Sequence, residues 1–389
     1  MELEIKDKIN NVDCHTVSDE IEQEDLYGAG SEATITKPFD PNSIDVDMAT
    51  VNLGLLIDQL VNDEIDLQPD FQRASDIWTT TGKSRLIESI LLGLPLPSFY
   101  FSEDSYSQKL SVIDGLQRLC AIKDFVIDKK LKLHNLQFLH VFEGKGFDDL
   151  ERPEIRRIKA LKISVNTLRK ATPNDVKYII FQRVNTAGVP LTSQEMRHAL
   201  NQGPAACFIK QMAELDSFVQ ATSHSVSSKR MEDRDFANRF VAFYLGYDEY
   251  NGELDNFLNV KMGDLNRMTE IQRNDILLAF DKSMQCCHAI FGQDTFRKRL
   301  VSDAPRSRIS KAVFDTVSVN IAWLSDEQRS RLASSASLVR ERMMTLFHDD
   351  KFMKAISTGT AQKYNVQTRF SEFKKMIDII LEQWYKGYS

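Results

Sequence analysis

Cysteine is scarce and unpatterned here. Cys14, Cys120, Cys207, Cys286 and Cys287 are an odd set without the paired spacing of a metal site. Adjacent Cys286-Cys287 on a helical stretch cannot form a metal knuckle, so reduced thiols in a cytoplasmic protein are the expectation. Histidine is equally sparse. His15, His198, His224, His288 and His348 are scattered, and only His134 and His140 lie near each other, with Asn135 between them. An H-N-H nuclease site needs a hairpin and a helix to gather its ligands, which so short a stretch cannot hold. No run approaches the roughly 20 apolar residues of a membrane helix. The opening Met1-Glu2-Leu3-Glu4-Ile5-Lys6 lacks a basic region followed by an apolar one, so secretion is not expected. No local signature marks a Ser or Cys nucleophile with a paired His. No repeat period emerges either, which argues against a solenoid.

A basic surplus is also missing. The formal charge is −7, but residues 1–40 hold eleven Asp and Glu against three Lys, a balance of −8 that leaves +1 for the remainder. The acidity sits in a tail and the body is near neutral, unlike a dedicated nucleic-acid binder with a pervasive positive field. Residues 1–43 mix acids, Ser and Thr with few large apolar groups and are expected to be a disordered or loosely attached tail.

What is present is a 42% hydrophobic content over 389 residues, enough for two domains. Leu53, Leu56, Ile57, Leu60 and Val61 recur with helical spacing. A brief extended segment and turn follow from Ile65 to Arg73. Leu86, Ile87, Ile90 and Leu91 predict a second helix, stopped by Gly93 and kept stopped by Pro95 and Pro97. Phe99-Tyr100-Phe101 and Leu110–Ile113 read as strands, the second feeding a helix through Asp114-Gly115; a further strand is expected at Leu161–Val165. From Asn174 the pattern turns helical. One helix carries Val176, Ile179, Ile180 and Val184, and another is capped by Thr192 or Ser193. Phe236, Phe240, Phe243 and Tyr244 mark a helix ended at Gly246, and Phe373, Met376, Ile377, Ile380, Leu381 and Trp384 a final one. The expectation is an α+β chain: a tail at 1–43, an α/β domain at 44–170 and a mostly helical domain at 171–389.

The chemistry-bearing residues cluster around turns. Asp114, Gly115, Gln117 and Arg118 put a carboxylate, an amide and a guanidinium beside a turn whose glycine admits close approach. Asp70, Gln72 and Arg73 repeat that set, and the two together would clamp a phosphorylated ligand from opposite sides. The plainer reading is a buried ion-pair network, Asp70 to Arg118 or Asp114 to Arg73. A third Gln-Arg pair, Gln182-Arg183, with Asn185 at a polar helix end, offers Arg183 and Asn185 as phosphate ligands or merely as a surface helix. Ile77–Ser84 superficially suggests a phosphate-binding loop, but a glycine is needed where Ile77 stands and no strand precedes it. A helix cap at Ser84 or Thr81 accounts for it. The basic groups Arg152, Arg156, Arg157 and Lys159, and Arg297, Lys298, Arg299, Arg306 and Arg308, are solvated faces or sequence-independent phosphate contacts.

Taken in order, several blocks resemble the N-terminal domain of GmrSD-type restriction proteins. They are Leu67–Arg73, Trp78, Leu86–Pro97, Val112–Leu119, Phe181–Thr192 and Asp233–Phe240, spanning roughly residues 35–245. The resemblance implies a ParB/sulfiredoxin-like fold and nucleotide binding and hydrolysis in bacterial defence against phage or modified DNA. It also implies an Asp-Gly-Gln-Gln-Arg motif at the active centre, which falls on Asp114, Gly115, Leu116, Gln117 and Arg118. Leu116 replaces the first Gln; hydrolysis is weakened if that amide positions water or phosphate, and unaffected if the position faces the core. Many relatives add a C-terminal H-N-H nuclease domain, whose ligands residues 246–389 do not show.

The leading expectation is an NTP-hydrolysing defence protein acting on or sensing DNA. In it Asp70 and Asp114 hold Mg²⁺ or orient water, Gln117 assists, and Gln72, Arg73, Gly115, Arg118, Arg183 and Asn185 meet the nucleotide. The alternatives are a non-hydrolysing DNA-binding or regulatory module with a separate effector, and a metal-dependent nickase using the ParB-like fold. No membrane partner is expected.

Overall fold

A computed structural model describes residues 20–28, 44–67, 78–103, 109–184, 191–301 and 305–387. The chain divides into two compact units, residues 37–203 and residues 1–36 with 204–389. The fold is α+β, a small mixed sheet followed by a mostly helical region.

The α/β unit is built on β1 (Val46–Asn52), β2 (Ile65–Asp66), β3 (Phe99–Glu103), β4 (Leu110–Asp114) and β5 (Lys162–Leu168), in the order β1-β5-β3-β4-β2. β1 runs antiparallel to β5 and β3 antiparallel to β4, while β5–β3 and β4–β2 are parallel. One face is covered by α1 (Leu53–Val61), α2 (Thr80–Leu92), α3 (Leu116–Ile122, continued by a π-helical turn at Lys123–Ile127) and α4 (Arg152–Ala160). Leu53, Ile57, Ile87, Ile90, Phe99, Phe101, Leu119 and Phe125 form its core. At roughly 25 cal/mol per Å² of apolar surface removed from water, these side chains supply the main drive for this layer. The other face carries a smaller core in which Ile113 and Leu168 meet Tyr178 of α5 (Asn174–Val184) and Met196 and Ala199 of α6 (Ser193–Leu200).

Local signals set the helix ends. The Thr79 hydroxyl caps α2 by accepting from Gly82 N–H at 3.2 Å, so the cap is Thr79 rather than Ser84 or Thr81. Gly93 closes α2 with φ of 76°. Thr192 and Glu195 form a capping box at α6. α5 and α6 were expected to open the helical domain. Their apolar faces instead complete the second core of the sheet, so the α/β unit extends to Gly203 rather than ending at 170.

The helical unit consists of α7 (Pro204–Ala213), α8 (Asp216–Ala221), α9 (Glu232–Gly246), α10 (Leu254–Arg267), α11 (Glu270–Phe291), α12 (Lys311–Ala322), α13 (Asp326–Ser334), α14 (Ala336–Phe347), α15 (Asp350–Ser357) and α16 (Lys363–Gly387). Phe236, Phe240, Phe243, Phe280, Phe314, Phe370 and Phe373 share its core. No helix among the described residues is long and apolar enough to cross a membrane.

Residues 20–28 correct one expectation. They lie inside the acidic stretch assigned to a loose tail, yet they are bound into the helical unit. Ile21 is buried and bridges Ile309, exchanging backbone hydrogen bonds through Glu22 N–H, Ile309 N–H and their carbonyl partners at 2.8 Å. Glu20, Glu22 and Glu24 project to Arg297, Lys298 and Arg239 respectively. Glu24 spans both terminal nitrogens of Arg239 at 3.0 Å each, and Asp315 accepts from the same guanidinium at 2.9 and 2.7 Å. Arg369 Nη2 shares Asp315 at 3.2 Å. Arg239, Asp315 and Arg369 are essentially buried, so Glu24 is part of the charge balance of an interior ion cluster. An acidic composition predicts disorder only where its charges find no partners, and here they find buried cations.

Candidate active site

The turn that joins β4 to α3 is the best-formed candidate. β4 carries one extra residue opposite β3: Tyr100 pairs with Asp114 but Phe101 with Val112, leaving a bulge at Ile113. Such a bulge re-aims the strand end. Gly115 follows with φ of 105°, a conformation side chains rarely adopt. A Cβ there would come within 2.5 Å of the Phe99 ring. The space next to Gly115 is therefore filled by Phe99, and the glycine serves close packing rather than ligand approach.

Arg118 sits on the first turn of α3 and folds back over this junction. Its guanidinium lies 4.5 Å above the Phe99 ring. Nη1 donates to the Pro97 carbonyl; Nη2 donates to the Ser98 carbonyl at 3.1 Å and to Asp114 Oδ2 at 2.8 Å. The Leu94–Pro97 block and the Asp114–Arg118 block, separate in sequence, are thus tied together by one side chain. Arg118 pairs with Asp114, while the Asp70 and Arg73 partners of the ion-network reading lie outside the described residues.

Asp114 is the exposed end of the pair, with its side chain 25% accessible against 10% for Arg118. Burial pushes the Asp114 carboxyl above its ordinary range, opposed by Arg118 and by the Gly115 N–H. Burial likewise lowers the proton affinity of Arg118, opposed by Asp114. The result is a fixed carboxylate at a strand end, held through one oxygen by a clamped guanidinium. Gln117 is half-buried beside it. Leu116 packs on the α/β core, so the position where the motif has Gln faces the interior here and a leucine fits it.

The other expected residues are distributed differently. Asp70, Gln72 and Arg73 lie outside the described residues, as does Asn185. Arg183 is exposed in the last turn of α5. Lys83, the lysine of the phosphate-loop-like stretch, is committed to a buried pair: its Nζ meets Asp124 Oδ2 at 2.7 Å, and Lys130 takes the other oxygen at 2.9 Å. Ser84 Oγ donates to Thr80 O and accepts from His134 N–H.

Sequence reasoning missed Glu88. Its carboxylate, on the same helix as Lys83, accepts from the backbone N–H groups of Gln137, Phe138 and Leu139 at 3.0, 2.7 and 2.8 Å. Burial works against the charge, yet the three donors outweigh it and hold the pKa below the usual glutamate value. Glu143 does the same for Asn135 and Leu136 N–H. The loop containing His134 and His140 is therefore organised by two carboxylates. A charged residue at a position that also reads as helix surface was the only available signal.

Residues 57–201 match the model of the family described as the GmrSD restriction endonuclease N-terminal domain. The match covers the β4–α3 turn and ends before the Asp233–Phe240 block, which forms part of α9 in the helical unit. No curated protein and no solved structure matches the chain.

Proposed function

We propose that the chain works in restriction-type phage defence as a nucleotide-binding protein whose α/β unit hydrolyses NTP at the Asp114 turn. The observation that carries this reading is the Asp114–Arg118 clamp, formed inside the domain matched to a restriction family. Arg118 acts as a positioning residue, since its terminal nitrogens hold Pro97, Ser98 and Asp114. Asp114 then presents its carboxylate to the ligand with little freedom to turn away. Gln117 supports it, while Asp70, Gln72, Arg73, Arg183 and Asn185 supply the remaining nucleotide contacts.

Mg²⁺ fits this donor set in one way. The described residues hold no group of three His, Cys, Asp or Glu able to cage a metal. Mg²⁺ delivered on a nucleotide needs only one or two protein carboxylates, and the partly exposed Asp114 supplies one. Bound there, the ion would offset charge on the phosphates.

The test is phosphate release by the full chain with each NTP and Mg²⁺, with and without DNA. Asp114→Asn should lower turnover by at least a hundredfold with the fold intact, and Arg118→Lys should lower kcat more than it raises KM. Turnover by Asp114→Asn equal to wild type would remove the reading.

A second reading has one observation in its favour. α4 is short and exposes Arg152, Arg156, Arg157 and Lys159, whereas Arg297 and Lys298 are occupied by Glu20 and Glu22. If DNA is held by the α/β unit, α4 is the surface for its phosphates, and affinity should fall steeply with salt. Salt-independent DNA binding, or none, counts against it.

A further inference from the structure

The helical unit contains a pocket of about 320 Å³ that the nucleotide reading does not use. Its size falls within the roughly 300–1,000 Å³ typical of small-molecule sites. It opens where the chain turns after α11, with α12 and α14 forming the opposite wall. Phe291, Phe296, Met344 and Phe347 give it an apolar floor. Among the described residues, Arg297, Arg299 and Arg340 line it as well, with Asp294 as the one lining carboxylate.

Two features mark it as more than a packing gap. Phe296 holds φ of 62° although it is buried, a strained backbone for a bulky side chain. Arg297 is 4% exposed, and its terminal nitrogens are taken by Ser307 O, Glu20 and Ser225. Its Nε–H, also buried, donates to no acceptor. A buried donor on a cation that meets no acceptor is unfavourable, and it leaves incompletely balanced positive charge in a residue of the pocket wall. The charge balance points the same way. Asp294 is engaged by Arg299 at 2.9 Å, Glu20 by Arg297 at 3.1 Å, and Arg340 binds neutral groups, the Ile290 carbonyl and Ser337 hydroxyl.

We propose that this pocket binds a small amphipathic anion, with a flat or aliphatic body on the Phe291–Phe296–Phe347 floor and a carboxylate or phosphate beside Arg297, Arg299 and Arg340. The site is separate from the Asp114 turn, on the other unit. Purine mononucleotides and medium-chain carboxylates share this chemistry.

The full chain is titrated with 8-anilinonaphthalene-1-sulfonate, an aromatic anion whose fluorescence rises in such pockets. A single saturable site is expected. Met344→Trp, which fills the pocket from a half-buried position, and Arg299→Gln, which removes a charge, should each weaken binding about tenfold or more. Melting temperature and circular dichroism confirm that both variants fold. Displacement by AMP assigns the phosphate source, and displacement by decanoate the carboxylate source. An Asp114→Asn chain should bind the probe as wild type does, which separates this site from the nucleotide reading. Absence of saturable binding, unchanged affinity in Met344→Trp, or displacement by neither anion overturns the proposal.

Discussion

Glu24→Gln tests the most counterintuitive feature of the fold, the acidic segment bound into the helical unit. Glu24 is 14% exposed and its partner Arg239 only 3%, with Asp315 fully buried behind them. Burial by itself would depress the Arg239 pKa, but Asp315 and Glu24 hold it well above the normal arginine value. Neutralising one partner of a buried pair costs about 3–5 kcal/mol when nothing replaces it. Asp315 still faces Arg239 in the variant and glutamine keeps one acceptor, so the expected loss falls at or just below that range, about 2–3 kcal/mol. For a unit of this size each kcal/mol lowers the melting temperature by roughly 2–4 °C, giving a fall of about 5–10 °C. Glu22→Gln is the internal control. Its side chain is 35% exposed, and Lys298 keeps the Ser357 hydroxyl as a partner at 2.9 Å, so the loss should be smaller, about 1 kcal/mol. Differential scanning calorimetry on the full chain reads both. Melting of Glu24→Gln within about 1 °C of wild type would show that residues 20–28 contribute nothing to the interior ion cluster.

Two further substitutions probe the α/β unit. Glu88→Gln should destabilise it by about 2 kcal/mol at neutral pH and speed amide hydrogen exchange at Gln137, Phe138 and Leu139. The folded pKa of Glu88 lies below its unfolded value of about 4.3, so its contribution is complete above that pH and fades as pH drops through the folded value. The gap between wild type and variant, followed by urea unfolding, should therefore close in acid; a gap that stays constant to pH 3 would refute the assignment. Gly115→Ala must accept a left-handed backbone and a Cβ 2.5 Å from Phe99, and should cost more than about 2 kcal/mol in the same assay. Unchanged stability there would mean the turn is not packed as described.

The elements that bury a regular apolar face were legible in the sequence. α2 stops at Gly93 as its glycine and prolines require, α5 begins at Asn174, and α9 and α16 follow their phenylalanine and isoleucine spacing. β1 was not legible. It is an edge strand with only Val46 and Val51 half-buried, so it shows no alternation for a period of two to reveal. Nor does spacing say which core a helix joins, and α5 and α6 share their apolar pattern with helices of either unit. The Asp114–Arg118 pairing was hidden for a related reason. Sequence offers several acids for one arginine, and the choice was made by a glycine turn and two carbonyls from the Pro97-Ser98 segment. The ordered acidic segment was hidden because its partners, Arg239, Arg297 and Lys298, lie some two hundred or more residues away. The pocket by Arg297 could not be read at all, since its walls come from two helices and a connection that only folding brings together.

The proposed hydrolysis requires a nucleotide-borne metal ion to meet the carboxylate at the end of β4. Mn²⁺ in place of Mg²⁺ makes this directly observable, because a paramagnetic ion broadens nearby nuclear resonances. With Mn²⁺ and a nonhydrolysable ATP analogue, the wild-type chain should show saturable, nucleotide-dependent broadening of the Gly115 and Gln117 amide signals, abolished in Asp114→Asn. Broadening of the same size in Asp114→Asn, or none in the wild type at saturating nucleotide, would contradict it.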